Sequence, residues 1–130
     1  MLMFPSVLAS WDAEEYGMIG SIEWIEEYVN WLTETAVAYL NIDVAVSGPR
    51  PEFAATPELK TIATDIMKKI VHPNFGTFNQ SLYDSWFEVS EGELGVLGSG
   101  SDYTGFLHKG ISSVSHLSCE HQDLDSSPTD

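Results

Sequence analysis

Basic residues are scarce in this chain. Five lysines and arginines stand against twenty acids, a formal charge of −15 over 130 residues. Nucleic acid and anionic membrane surfaces are recognised through basic patches, so this deficit argues against both as partners. Cysteine occurs once, at Cys119, which rules out an internal disulfide and leaves the redox compartment open. No apolar run approaches the roughly eighteen residues of a membrane span. The opening Met1-Leu2-Met3-Phe4 lacks a basic flank and Pro5 interrupts it, so it is not expected to act as a secretory leader. Histidine is absent until His72. The acidic excess suits cation binding and, equally, plain solubility.

What is present is a packed chain. A hydrophobic content of 43%, with four Trp, six Phe and five Tyr, is that of one globular domain rather than a disordered segment. The stretch Ser10-Trp11-Asp12-Ala13-Glu14-Glu15-Tyr16-Gly17-Met18-Ile19-Gly20-Ser21 organises it. Val7, Leu8 and Ala9 lead in, and residues 3–10 are expected as a buried strand. Strand, acidic turn, then helix is how an α/β protein delivers carboxylates to the carboxyl edge of its sheet. Adjacent Glu14 and Glu15 can divide two tasks, one holding a metal and the other taking a proton from water. Equally, acids near a helix start complement the macrodipole, at about 0.3–1 kcal/mol each.

From Met18 to about Thr33, Ile22, Ile25, Val29 and Leu32 form an apolar stripe between Glu23, Glu26, Glu27 and Asn30, as an amphipathic helix requires. Trp24, Tyr28 and Trp31 widen that stripe, so the helix is expected to pack against both a sheet and a neighbour. Residues 36–42 are almost continuously apolar, which predicts a strand covered on both faces of a parallel sheet, with Asp43 at its end. A loop follows over residues 46–51. A second helix is expected from Pro57 to near Val71, closed by His72-Pro73-Asn74, with Lys68 and Lys69 complementing its dipole. Residues 74–96 have weak periodicity and predict a long ordered loop, whose Phe75, Phe78, Leu82, Tyr83, Trp86 and Phe87 pack onto the domain or a partner. Gly98-Ser99-Gly100-Ser101-Asp102 reads as a small-residue loop entering a short helix capped by Ser101 or Asp102. Gly110 ends that helix, and residues 111–114 can add a strand. His116, Cys119, His121, Asp123 and Asp125 match no zinc spacing, and residues 116–130 are expected as a mobile tail.

Trp11-Asp12-Ala13-Glu14-Glu15-Tyr16-Gly17, continuing through Gly20-Ser21-Ile22-Glu23-Trp24, resembles the signature of the glutamate carboxypeptidase family. These are co-catalytic di-zinc exopeptidases, with the non-enzymatic transferrin receptors as relatives. Ala38-Tyr39-Leu40-Asn41-Ile42-Asp43, Ser81-Leu82-Tyr83-Asp84-Ser85-Trp86 and Leu97-Gly98-Ser99-Gly100-Ser101-Asp102-Tyr103 resemble the same family in the same order. The resemblance covers roughly residues 4–115. It implies an α/β fold, part of a three-layer α/β/α sandwich with a mainly parallel sheet, over residues 1–115. It makes Glu14 the general base and Glu15 and Asp43 zinc ligands. Met18 then stands at the pocket wall, Ser99, Gly100 and Ser101 line the substrate site, and Glu23 and Glu26 are candidate calcium ligands.

The same resemblance implies two zinc ions in the complete domain, a peptide substrate, and room for a homodimer. It takes a His and a bridging Asp from a segment upstream of residue 1 and a last His from a Tyr-His motif downstream. The expectation is therefore a partial peptidase domain, inactive alone. Family members are often single-pass membrane proteins with the catalytic part outside the cytosol, while the localisation of this chain stays open. The alternatives are a non-catalytic, receptor-like interaction or dimerisation module and an unrelated acidic cation-binding protein. Retention of Glu14, Glu15 and Asp43 favours the enzyme branch.

Overall fold

A computed structural model describes residues 5–44, 50–72 and 80–120, with residues 50 and 116–120 described by their backbone alone. Helices and a small mixed sheet make an α/β architecture. Helix α1 (Ile19–Thr35) is followed by strand β1 (Tyr39–Leu40) and strand β2 (Arg50–Ala55). Helix α2 (Lys60–Met67), helix α3 (Leu82–Ser90) and helix α4 (Tyr103–His108) precede strand β3 (Ser113–Glu120). The sheet order is β1-β3-β2, with β1 parallel and β2 antiparallel to β3. Among the described residues no helix is long and apolar enough to cross a membrane.

The stripe on α1 buries as its spacing requires. Ile25 and Leu32 join Phe106 and Ile111 in one core cluster, with Trp11, Trp24, Ala36 and Tyr39 packed around it. Tyr28 and Trp31 stay exposed on the flank of the same helix. A second cluster of Phe53, Ala55, Met67 and Trp86 lies between β2 and helices α2 and α3, shielded by Leu82, Tyr83 and Leu94.

Several expectations from the sequence need correction. Residues 5–10 form no strand, and Leu8 is 96% exposed. An apolar run becomes a strand only where a neighbour completes its hydrogen-bond ladder, and none does so among the described residues. Strand β1 is two residues long, and Val37, Leu40 and Ile42 are exposed, so one of its faces is uncovered here.

The second helix starts as a 3-10 turn over Pro57–Leu59 and ends at Met67 rather than near Val71. Beyond it the backbone turns to pair with residues 80–82: His72 N–H donates to the Gln80 carbonyl at 2.9 Å and Leu82 N–H to the Ile70 carbonyl at 2.8 Å. Within the expected loop 74–96 lies α3. Its start is a capping box in which the Ser81 hydroxyl accepts from Asp84 N–H (3.1 Å) and Asp84 Oδ2 accepts from Ser81 N–H (2.9 Å). The Ser81 hydroxyl also donates to Asp84 Oδ2 at 2.6 Å, and this bond, with the one from Ser81 N–H, holds the Asp84 carboxyl below its usual range.

The strand expected at residues 111–114 begins at Ser113 and continues through Glu120, where the mobile tail was expected. Its outer half pairs with β2, Cys119 opposite Pro51 and Ser118 opposite Glu52. Residues 3 and 4, the loop at 46–49, Pro73, Asn74, Phe75, Phe78, His121, Asp123 and Asp125 lie outside the described residues, as do the side chains of His116 and Cys119.

Candidate active site

The acidic turn folds back on the first turn of α1. Gly17 and Met18 N–H groups donate to the Glu14 carbonyl at 2.9 and 2.7 Å, Ile19 N–H to Ala13 at 3.2 Å, and Gly20 N–H to Asp12 at 3.1 Å. Closing so tight a loop requires unusual dihedrals. Ala13 (φ 56°) and Met18 (φ 58°) are left-handed and bracket the 3-10 turn Glu14–Tyr16. Val44, the residue after Asp43, is left-handed as well, at φ 48°. Such a conformation costs a non-glycine residue about 1–3 kcal/mol and is most unusual for a β-branched one. Of the four non-glycine residues with positive φ among the described residues, three flank Glu14, Glu15 or Asp43. Strain of this kind persists only where surrounding contacts over-determine it, and it concentrates at functional sites.

Those contacts come from β1 and the amino end of α4. Ser21, fully buried on α1, donates to Asp102 Oδ1 at 2.5 Å and so ties the two helix starts together. Buried Ser101 donates to Asp43 Oδ2 at 2.8 Å and accepts from Asn41 Nδ2 at 3.0 Å. Tyr39 Oη donates to Asn41 Oδ1 at 3.2 Å and accepts from Trp11 Nε1 at 3.1 Å. The Tyr39 ring stacks on Phe106, with centroids 3.9 Å apart and planes 10° from parallel. Burial, opposed by the Trp11 hydrogen bond and reinforced by Asp102 and Asp43, raises the Tyr39 pKa, which keeps its hydroxyl a donor.

Glu14 feels its neighbours. Partial desolvation, then the charges of Glu15, Asp102 and Asp43, raise its pKa above the ordinary 4.5. A carboxyl whose pKa rises on folding holds its proton more tightly in the folded state. Ionised Glu14 therefore weighs against the fold above its folded-state range and has no such effect well below 4.5. Glu14→Gln is expected to raise the thermal midpoint at about pH 7 and to leave it unchanged at about pH 3. Thermal unfolding of both proteins across that range checks this, and a lower midpoint for the variant at neutral pH would contradict it.

The candidate residues divide by position. Glu14 and Met18 are half-buried, while Glu15, Asp43, Ser99 and Gly100 are exposed. Ser101 is 4% exposed, and its hydroxyl points to Asp43 rather than outward. Glu23 and Glu26 are exposed on α1, and two carboxylates fall short of the six or more oxygens calcium takes. Among the described residues no three acidic, histidine or cysteine side chains converge on one metal position. The carboxylates of Glu15 and Asp43 are chemically suited to zinc, but a catalytic zinc takes about three protein ligands. The donor set fits part of a centre. Reading the sequence passed over Asn41, Tyr39 and Ser21 as site residues. The available signal was Asn41, a lone amide inside an apolar run, because a buried amide demands partners.

Comparison with known proteins fits this arrangement. The profile of peptidase family M28 matches residues 6–127, which extends past Ser115, where the motif resemblance was expected to stop. A probable glutamate carboxypeptidase of Arthroderma benhamiae is 60% identical over 108 residues, covering 83% of this chain and 15% of the relative. A probable glutamate carboxypeptidase of Arabidopsis thaliana is 44% identical over 113 residues, covering 83% of this chain and 16% of the relative. The aminopeptidase NAALADL1 of Mus musculus is 38% identical over 119 residues, with the same coverage of 83% and 16%. The chain thus spans about 15% of the length of the curated relatives it matches.

Proposed function

The chain belongs to peptidase family M28, and from that premise we propose that it is the central portion of a zinc-dependent exopeptidase of the glutamate carboxypeptidase kind, acting on peptide ends. In this reading the complete domain is a three-layer sandwich with a mainly parallel sheet, to which the β1–β3 pair belongs. The observation that carries the proposal is geometric: the amino end of α4 bonds Asp43 through Ser101 and, through Asp102, bonds Ser21 on the first turn of α1, onto which the turn bearing Glu14 and Glu15 folds back.

Zinc, when bound, polarises a carbonyl and acidifies a water. Of the two zinc ions that the resemblance implies, Glu15 would hold one and Asp43 the other, each needing further ligands beyond these two carboxylates. Glu14 takes a proton at its carboxylate from the attacking water and delivers it to the leaving amine. A raised pKa brings it nearer the working range of a proton shuttle. Met18 closes the wall beside it, and the exposed Ser99 and Gly100 present small groups and backbone to the substrate. A receptor-like interaction module needs no carboxylate triad, so the enzyme branch accounts for more of these residues.

With only Glu15 and Asp43 as ligands, the isolated chain is expected to bind zinc weakly and to leave glutamate-terminated peptides intact. Grafting residues 5–115 in place of the matching segment of the Arthroderma benhamiae relative supplies the missing ligands. The graft is expected to hydrolyse such peptides, and Glu14→Gln within it to lower kcat by about 10²–10⁴-fold. An active graft indifferent to that substitution would remove Glu14 from the reaction.

A further inference from the structure

We propose that Ser101, backed by Asn41, Tyr39 and Trp11, is a positioning residue that locks the carboxylate of Asp43 in one orientation through a one-way hydrogen-bond relay. The direction follows from the two ends. An indole Nε1–H only donates, and an ionised carboxylate only accepts. Trp11 therefore gives its proton to Tyr39 Oη, at 3.1 Å. The single Tyr39 proton is then free for Asn41 Oδ1, at 3.2 Å. This sets the amide so that Nδ2 faces Ser101 Oγ at 3.0 Å. The Ser101 proton has one acceptor left, Asp43 Oδ2, at 2.8 Å. No link can be reversed without leaving a donor or an acceptor unmatched.

Burial makes the chain of bonds matter. Asn41 and Ser101 are 5% and 4% exposed, so water has little access to replace either partner. Hydrogen bonds in series also polarise one another, and the last link to the carboxylate gains most. Asp43 itself is exposed and lies three residues beyond the end of β1, with left-handed Val44 behind it. An exposed aspartate would ordinarily sample several rotamers, and the relay removes that freedom from one carboxylate oxygen while leaving Oδ1 for another role. Ligand side chains held in this manner by an outer partner bind metal more tightly. The role of Asp43 as a ligand rests on the function proposed above; the relay is a property of the metal-free chain.

The test therefore has two arms. In the metal-free full chain at fixed pH, NMR is expected to show one χ1 rotamer for Asp43. Ser101→Ala should average its three-bond Hα–Hβ couplings over several rotamers with the amide spectrum otherwise retained, and Ser101→Thr, which keeps the hydroxyl, should restore the single rotamer. Tyr39→Phe keeps the ring on Phe106 and removes only the hydroxyl. It should speed solvent exchange of the Trp11 indole N–H about tenfold and move the Asn41 side-chain amide signals. An Asp43 that keeps one rotamer in folded Ser101→Ala overturns the proposal. If that variant does not fold, unchanged Trp11 and Asn41 signals in Tyr39→Phe overturn it. The second arm uses the graft, where Ser101→Ala should weaken zinc binding about 10–100-fold and Ser101→Thr should recover it. Unchanged zinc affinity in Ser101→Ala overturns the positioning role. A graft without activity, beside an intact relay in the metal-free chain, would instead locate the failure in the peptidase reading.

Discussion

Phe106→Ala is expected to remove about 3–5 kcal/mol of stability, the usual cost of truncating a fully packed phenylalanine. Phe106 is 4% exposed and central to the cluster of Ile25, Leu32 and Ile111. Its ring stacks on Tyr39 at 3.9 Å and lies 6.2 Å from Trp11 and 6.4 Å from Trp24. Ile25, also of this cluster, packs closely against neighbouring Gly105. A domain of this size holds about 5–15 kcal/mol in total, so the loss takes a large share of it. Urea unfolding should show a much lower midpoint with an unchanged slope. The site should suffer beyond stability, because Tyr39 loses the platform that aims its hydroxyl at Asn41. A cost below about 1 kcal/mol would mean that the α1–α4 cluster is not the core that supports the rim.

Gly20→Ala is expected to displace the carboxylates themselves. A Cβ at Gly20 would stand 2.6 Å from the Asp12 carbonyl oxygen and 2.9 Å from its nitrogen. Both are backbone atoms, so no side chain can swing aside. The 3.1 Å hydrogen bond from Gly20 N–H to Asp12 must open, and with it the fold-back that carries Glu14 and Glu15. Alanine's better helix propensity offsets about 1 kcal/mol, against about 1–3 kcal/mol for the overpacking. Stability should therefore fall only modestly, while geometry shifts by an ångström or more. For a positioned base, a misplacement of about 1 Å costs on the order of 10²-fold in rate. In the graft, Gly20→Ala should lower kcat by that order while the protein stays folded. Full activity would show that the acidic turn does not depend on close contact with α1.

The pattern of what could be read directly follows from the range of the forces involved. The α1 stripe was legible because Ile22, Ile25, Val29 and Leu32 repeat at the helical period, and Ile25 and Leu32 are buried. Helix α3 was missed, because its aromatic residues conceal the helical period and residues 74–96 read as a loop; the local signal that could have found it is the capping box of Ser81 and Asp84. The apolar run at residues 5–10 resembled a strand, yet a strand exists only with a partner, which no local pattern supplies. The polar stretch after Ser115 resembled a tail, yet β2 provides an antiparallel neighbour through Glu120.

By itself the sequence determined the family, through ordered motif blocks, and through that resemblance it nominated the carboxylates at positions 14, 15 and 43. It also set the small residues around Ser101, which allow a close backbone turn. Only the tertiary structure decided where each polar group sends its proton. Ser101 and Asp43 are 58 positions apart, and Ser21 and Asp102 are 81 apart. Local preference acts over a few residues, whereas a hydroxyl's partner is chosen by which elements pack against it. For that reason a serine that the motif assigned to substrate turns inward to orient an aspartate.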